Sequence, residues 1–260
     1  MDTLDHIVIN TLMGMDAAAS IFADLGFQLT ARGYHSLGSI NHLAMVPGSY
    51  LELVGVPASG KQRQEVLESP LGLSGLVFKS ADSDATYYRL TAAGFAPQPP
   101  LSFSRPVEID GETVEAKFRT VRLTGAEFPA GRVYFCEHLT PQYVWRDEWL
   151  VHDNGFVSID EIVVESTDLD ADAARYAALC GTTASVDGEA RVVALPGLAI
   201  RLVAGERPRF AGATLGFTSL DVLKARASAS PEVAWSDDGP GRATLGIASL
   251  DLTLTARVAG

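Results

Sequence analysis

The stretch Leu4-Asp5-His6-Ile7-Val8-Ile9-Asn10 has a near copy in the second half of the chain, Ile159-Asp160-Glu161-Ile162-Val163-Val164-Glu165. Both read as buried strands, because apolar and β-branched residues dominate them. Each is followed by an amphipathic segment of helical period, Met15 to Leu25 in one case and Asp168 to Leu179 in the other. The closing strands of the two units match as well, Gly48-Ser49-Tyr50-Leu51-Glu52-Leu53-Val54 against Gly197-Leu198-Ala199-Ile200-Arg201-Leu202-Val203. A repeat visible at both ends of a unit predicts two stretches that fold alike.

Working outward, strand-like runs also lie at Asn41 to Val46, Gly75 to Lys79, Phe118 to Leu123, Arg132 to Cys136, Arg191 to Ala194, Thr214 to Thr218 and Leu250 to Thr255. Two further helical segments, Asp82 to Ala93 and Leu220 to Ala227, complete the pattern. Each helix follows one strand and precedes about three, giving βαβββ four times at a spacing of roughly 60 to 80 residues. Gly26, Gly94 and Gly181 sit where a left-handed residue ends each of three helices. The expected class is therefore α+β, with four βαβββ modules paired into two domains with curled mixed sheets. The first domain covers residues 1–145, with modules at 1–57 and 72–140, and the second covers 155–260. Pro141, Asp153-Asn154-Gly155 and the bulky Tyr143, Trp145 and Trp149 interrupt the strand pattern between them. Tyr143 and Trp145 are expected to plug the space between the domains, and His152 to organise the joining turn.

The chain has 260 residues, is 47% apolar and has 20 basic against 32 acidic side chains for a formal charge of -12. That charge repels phosphate backbones and anionic headgroups, so neither nucleic acid nor a membrane surface is an expected partner. No apolar run approaches the roughly 18 residues of a membrane span, and the acidic N-terminus is unlike a secretory signal. The two cysteines, Cys136 and Cys180, have no paired spacing. These features point to a cytoplasmic protein whose partner is a small-molecule substrate, with a homodimer also allowed. Serine-triad spacing, Walker loops and dinucleotide glycine fingerprints are absent from the sequence.

With the repeat established, four local patterns gain meaning: Leu4-Asp5-His6-Ile7-Val8, Gly38-Ser39-Ile40-Asn41-His42-Leu43, Tyr50-Leu51-Glu52-Leu53, and Phe135-Cys136-Glu137-His138-Leu139-Thr140-Pro141-Gln142-Tyr143-Val144-Trp145. In these the chain resembles the vicinal oxygen chelate superfamily, which includes glyoxalase I, extradiol dioxygenases and bleomycin-resistance proteins, and within it the glyoxalase-like domain proteins. The resemblance implies a divalent metal held by a His or Glu on the first strand and a Glu on the fourth strand of each module. Imidazole and carboxylate donors suit Zn, Mn, Fe or Ni.

On that basis His6, Glu52 and Glu137 are the expected metal ligands, with Glu137 also able to move a proton and His35 as a reserve acid or base. Gly75 stands where the second module should carry a ligand, a departure from the family pattern. Period-two alternation from Phe135 is expected to turn Glu137 into the cleft and His138 away from it. His42 reads as ordinary polar decoration of a hairpin. In the third module Glu161 and Arg201 replace His6 and Glu52, so an ion pair is expected there, and Thr214 and Asp251 lie near the corresponding places of the fourth. The expected function is a metal-dependent lyase, isomerase or dioxygenase acting on a small oxygenated substrate through an enolate or chelated-oxygen intermediate. The alternative is a metal-free binding protein of the bleomycin-resistance type.

Overall fold

The computed structural model describes residues 2–260 and contains two eight-stranded mixed sheets. Strands β1 (Leu4–Asn10), β2 (Gly33–Tyr34), β3 (Ile40–Val46) and β4 (Ser49–Gly55) with helix α1 (Met15–Asp24) form the first module. A one-turn helix, α2 (Gln64–Leu67), lies in the connection to β5 (Gly72–Lys79), α3 (Ser83–Ala92), β6 (Leu101–Ile109), β7 (Glu112–Arg122) and β8 (Arg132–His138). The second half repeats this with β9 (Phe156–Ser166), α4 (Leu169–Leu179), β10 (Ala184–Asp187), β11 (Ala190–Leu195), β12 (Leu198–Ala204), then β13 (Arg209–Phe217), α5 (Asp221–Ala229), β14 (Ala234–Asp237), β15 (Arg242–Ile247) and β16 (Leu252–Val258). The sheet orders are β2-β3-β4-β1-β5-β8-β7-β6 and β10-β11-β12-β9-β13-β16-β15-β14, so the four βαβββ modules pair as expected.

The register supports the internal repeat residue by residue. His6 faces Tyr50 and Val8 faces Glu52 in the first sheet, while Glu161 faces Ala199 and Val163 faces Arg201 in the second. Each first strand is flanked by one parallel and one antiparallel neighbour, which is why it is a continuous apolar run. Ile7 and Ile9 point into the helix-side core together with Leu51, Leu53, Leu76 and Phe78. Val8, Leu43, Tyr50, Val54, Val77 and Cys136 form a second cluster on the concave side. Burial of a side chain such as Ile7 contributes about 1.5–3 kcal/mol.

Two register shifts interrupt the β1–β5 ladder, one of them between Leu4 and His6. This bulge sets Leu4 and Ile7 on the helix side and leaves Asp5 and His6, adjacent in sequence, both directed at the concave side. The β9–β13 ladder shifts at the matching place, where Asp160 is the extra residue and pairs with Arg257 at 2.7 Å.

The expected orientation of the β8 side chains is corrected. Val133 and Phe135 belong to the helix-side core, so Tyr134, Cys136 and His138 face the concave side and Glu137 faces away from it. The residue equivalent to Glu52 is Tyr134, because Val77 faces Tyr134 as Val8 faces Glu52. The Glu137 carboxylate accepts the backbone N–H of Ser83 at 2.8 Å, capping α3 beside Asp82, whose side chain accepts from Ala85.

The first sheet curls until its edge strands touch: the Ser36 N–H donates to the Ser104 carbonyl at 2.8 Å, joining the end of β2 to β6. Tyr143, Trp145 and Trp149 do not plug the space between the two halves. They pack against the concave-side cluster, where Trp145 lies 5.5 Å from Tyr50 and 5.3 Å from His138. Phe27, Phe156 and Phe217 fill the junction instead, with Phe27 and Phe156 ring centroids 5.2 Å apart.

His152 organises that junction. Its Nδ1 accepts the Gln28 N–H at 2.9 Å and its Nε2 donates to the Met45 carbonyl at 2.7 Å, an arrangement only the neutral ring can make. Burial lowers its pKa below 6.5. A histidine whose folded pKa is depressed contributes stability that is present above its unfolded pKa and is lost as pH falls. Chemical denaturation should therefore show the wild type losing stability below about pH 6.5, with His152→Ala less stable by about 1–3 kcal/mol at neutral pH and flatter in its pH dependence. Glu137→Gln should cost about 0.5–2 kcal/mol through the weakened α3 cap, and metal content measured on the same protein should not change.

Candidate functional site

The concave face of the first sheet forms a cleft lined by His6, His35, Asn41, Glu52, Arg105 and Tyr134 among others. About 460 Å³ within it, the open mouth included, is free of protein atoms. Curling of the sheet is what brings β1, β4, β6 and β8 side chains to one place.

Asp5 anchors the site. It is fully buried, and one carboxylate oxygen meets His6 Nδ1 at 2.6 Å while the other meets His138 Nε2 at 3.0 Å. Burial opposes its charge, yet His138 and His6 together hold its pKa well below the ordinary carboxylate value. With Nδ1 engaged by Asp5, His6 turns Nε2 toward the cleft. There it meets the Tyr134 hydroxyl at 3.2 Å and faces Glu52 Oε2 at 3.6 Å, while the Tyr50 ring stacks on it at 4.4 Å. Tyr134 remains a protonated phenol, because burial and the Glu52 charge raise its pKa.

Glu52 is 7% exposed, and Asn41 donates to its Oε1 at 2.8 Å. Burial raises the cost of its charge, but His6, His35 and the Asn41 amide outweigh that and leave its pKa below the usual value. His35 also reaches the cleft, where Nδ1 lies 2.9 Å from Ser39 Oγ and the ring meets Phe103 edge-on at 5.4 Å. Burial, reinforced by Arg105 and Arg63 against the pull of Glu52, lowers its pKa to about 4, so the ring is neutral near pH 7.

The structure thus brings His6, Glu52 and His35 together and places Glu137 on the opposite face of β8. His42 is spent on structure, holding the Thr30 carbonyl and accepting from Arg32. No local signal marks Asp5 or Tyr134 as cleft residues: strict alternation sends Asp5 to the helix side, and the alternating pattern of β8 fits either face. His138, expected outside, stands behind the site with its Nδ1 buried and unpartnered among the described residues.

The donor chemistry fits a divalent cation. The 3.6 Å gap between His6 Nε2 and Glu52 Oε2 is too long for a hydrogen bond. An ion placed between them would be held by both groups. Asp5 behind His6 is the oriented carboxylate partner that ligating histidines keep. A second group, Asp5, Cys136 and His138, has donor atoms within 4.8 Å of one another. Burial and the charges of Asp5 and Glu52 push the Cys136 thiol well up, so it is protonated in this arrangement.

Among the described residues the corresponding face of the second sheet holds no such set. Arg201 Nε donates to Glu161 at 2.8 Å and its Nη2 to Asp187 at 2.9 Å, the ion pair expected from the sequence. Thr214 reaches Glu161 at 3.4 Å. The expected fourth-module positions are corrected to Gly212 and Thr255: Val163 faces Gly212 as Val8 faces Gly75, and Thr214 faces Thr255 as Val77 faces Tyr134. Asp251 lies in a left-handed turn just before β16.

Among the described residues no helix is long and apolar enough to cross a membrane. No curated protein matches the sequence. Among solved structures, a hypothetical protein from Staphylococcus aureus aligns over 100% of both chains with a TM-score of 0.72 and 11% identity. A xylose isomerase-like TIM barrel/4-hydroxyphenylpyruvate dioxygenase fusion protein aligns with 100% of this chain and 50% of its own, at a TM-score of 0.62 and 16% identity. A triple mutant of 4-hydroxymandelate synthase from Streptomyces coelicolor aligns over 100% of this chain and 95% of its own, at 0.59 and 14%. At these identities the likeness is one of fold. The glyoxalase-like domain family itself matches residues 4–180, which take in the whole first sheet and its cleft, and the chain belongs to that family of the vicinal oxygen chelate superfamily.

Proposed function

We propose that the cleft of the first sheet is the active site of a divalent-metal-dependent enzyme acting on a small oxygenated organic substrate. The observation that carries this reading is His6 Nε2, turned to the cleft by the contact of Nδ1 with Asp5, facing the Glu52 carboxylate across 3.6 Å. His6 and Glu52 would hold the ion, with the Tyr134 hydroxyl beside them. When bound, such an ion supplies electrophilic stabilisation to neighbouring oxygens of the substrate.

The remaining roles belong to the chain's own groups. Asp5 keeps His6 in one tautomer and one orientation, and Asn41 fixes Glu52 by one oxygen so that the other stays available. Tyr50 stacks on His6 and keeps water from its face. Neutral His35 is an acceptor for a proton leaving the substrate, and its contact with Ser39 sets the ring direction. The second sheet supports the first through the aromatic junction and contributes no ligands, since its equivalent positions are an ion pair.

A specific observation favours the second reading, a metal-free binding protein: Gly75 and Tyr134 occupy two of the four family ligand positions. A methyl at Gly75 would lie 2.9 Å from Val8, so that position is closed to a larger side chain without repacking.

Elemental analysis of protein purified without chelators, followed by titration with Mn, Fe, Ni and Zn, separates the two readings. The expected result is one divalent ion per chain. Glu52→Gln should lower affinity by about tenfold or more at unchanged fold. Cys136→Ser should leave stoichiometry unchanged, locating the ion at His6 and Glu52 rather than at Asp5, Cys136 and His138. Absence of binding by any of the four metals would leave the metal-free reading.

A further inference from the structure

Arg105 is 2% exposed, lines the cleft, and its Nε and Nη2 have no hydrogen-bond partner among the described residues. A buried guanidinium is costly without a counter-charge, so one that keeps two adjacent donors free is unusual. The other cleft arginines differ. Arg63 pairs with Glu65 through Nε and Nη2 at 3.0 and 2.5 Å, and Arg132 leaves only Nε unpartnered while its Nη2 reaches Ser74 at 3.4 Å. Nε and Nη2 form one edge of the planar fork, and that edge matches the two oxygens of a carboxylate.

The surroundings hold Arg105 in place for this. It alternates along β6 with Phe103 and Val107, which face the same side. Its stem lies over Gly33, where a methyl group would come within 2.8 Å of Arg105 Cδ and 2.3 Å of Asn41 Oδ1. The same backbone therefore makes room for both Arg105 and the amide that positions Glu52. Phe103 and Phe118, stacked at 5.2 Å, supply an apolar wall beside it.

We propose that Arg105 is a carboxylate receptor and that the cleft takes a small organic acid. The carboxylate seats on the Nε–Nη2 edge, and the apolar body of the acid lies against Phe103 and Phe118 toward the mouth. This rests on the reading of the cleft as the active site and adds the class of substrate to it. The chain carries a formal charge of -12, so a buried cation inside the cleft is also what lets an anion enter against the overall field.

Isothermal titration with benzoate, with its neutral isostere benzamide and with inorganic phosphate tests the assignment, each on metal-loaded and on chelator-treated protein. Benzoate should bind in both states, with benzamide and phosphate weaker by about tenfold or more. Arg105→Lys keeps the charge but loses the fork, and should weaken benzoate by about tenfold or more. Arg105→Met should abolish benzoate binding while leaving the melting temperature of the free protein equal or higher, because it removes a buried guanidinium whose Nε and Nη2 make no hydrogen bond; a purely structural arginine would lower it. Should Arg105→Met fail to fold, the structural role stands and the proposal fails unless Arg105→Lys is folded and shows the loss. Equal binding of benzoate and benzamide, phosphate binding as tightly as benzoate, or unchanged benzoate affinity in Arg105→Lys each overturns the proposal. Binding that disappears with the chelator and ignores Arg105→Lys places the carboxylate on the metal, which defeats this inference and leaves the proposed function standing. Arg105-dependent binding by protein that takes up no metal does the reverse.

Discussion

Asp5 is a buried carboxylate that touches two imidazoles, and the geometry of the cleft depends on it. Such a charge is tolerable only when its oxygens are engaged, and removal of one partner of a buried pair costs about 3–5 kcal/mol. His6 and His138 supply the partners from β1 and β8, so the same contacts tie the two halves of the sheet across its concave face. The direction of His6 Nε2, the contact with Tyr134 and the open gap to Glu52 all follow from where Asp5 holds the ring.

That arrangement requires a backbone irregularity. In a regular strand Asp5 would share a face with Ile7 and Ile9, in a core with no room for a charge. The bulge between Leu4 and His6 moves it to the concave side at the expense of one ladder pairing. The second sheet keeps the bulge and refills it: Asp160 takes Arg257 and Glu161 takes Arg201. One backbone frame therefore carries a polar, partly unfilled cleft in one sheet and closed ion pairs in the other. The difference lies in side chains that bring their own cation against side chains that leave room for one.

The cleft combines two kinds of incomplete chemistry. Near β1 and β4 the carboxylate and imidazole donors have capacity left for a cation, and near β6 a guanidinium has capacity left for an anion. Opposite unmet charges a short way apart suit a ligand that carries both an anionic group and further oxygens. Curling of the sheet, sealed where Ser36 meets Ser104, keeps this set away from bulk water, where each interaction would be weaker.

The amino-acid sequence by itself determined the modules, because apolar period and repeated strands are local properties that hold wherever the strand is placed. It also singled out His6 and Glu52, since polar residues inside apolar strands need a reason, and it anticipated the Glu161–Arg201 pair from the repeat. The tertiary structure alone decided which way β8 faces, because the strand's alternating pattern fits either face and only pairing with β5 and β7 chooses one. That choice put Tyr134 in the cleft, His138 behind it against Asp5, and Glu137 at the start of α3. The bulge at Asp5 and the burial of Arg105 depend on neighbouring strands more than 60 residues away along the chain, at Phe78 and Gly33 respectively, and no local signal in either segment announces them.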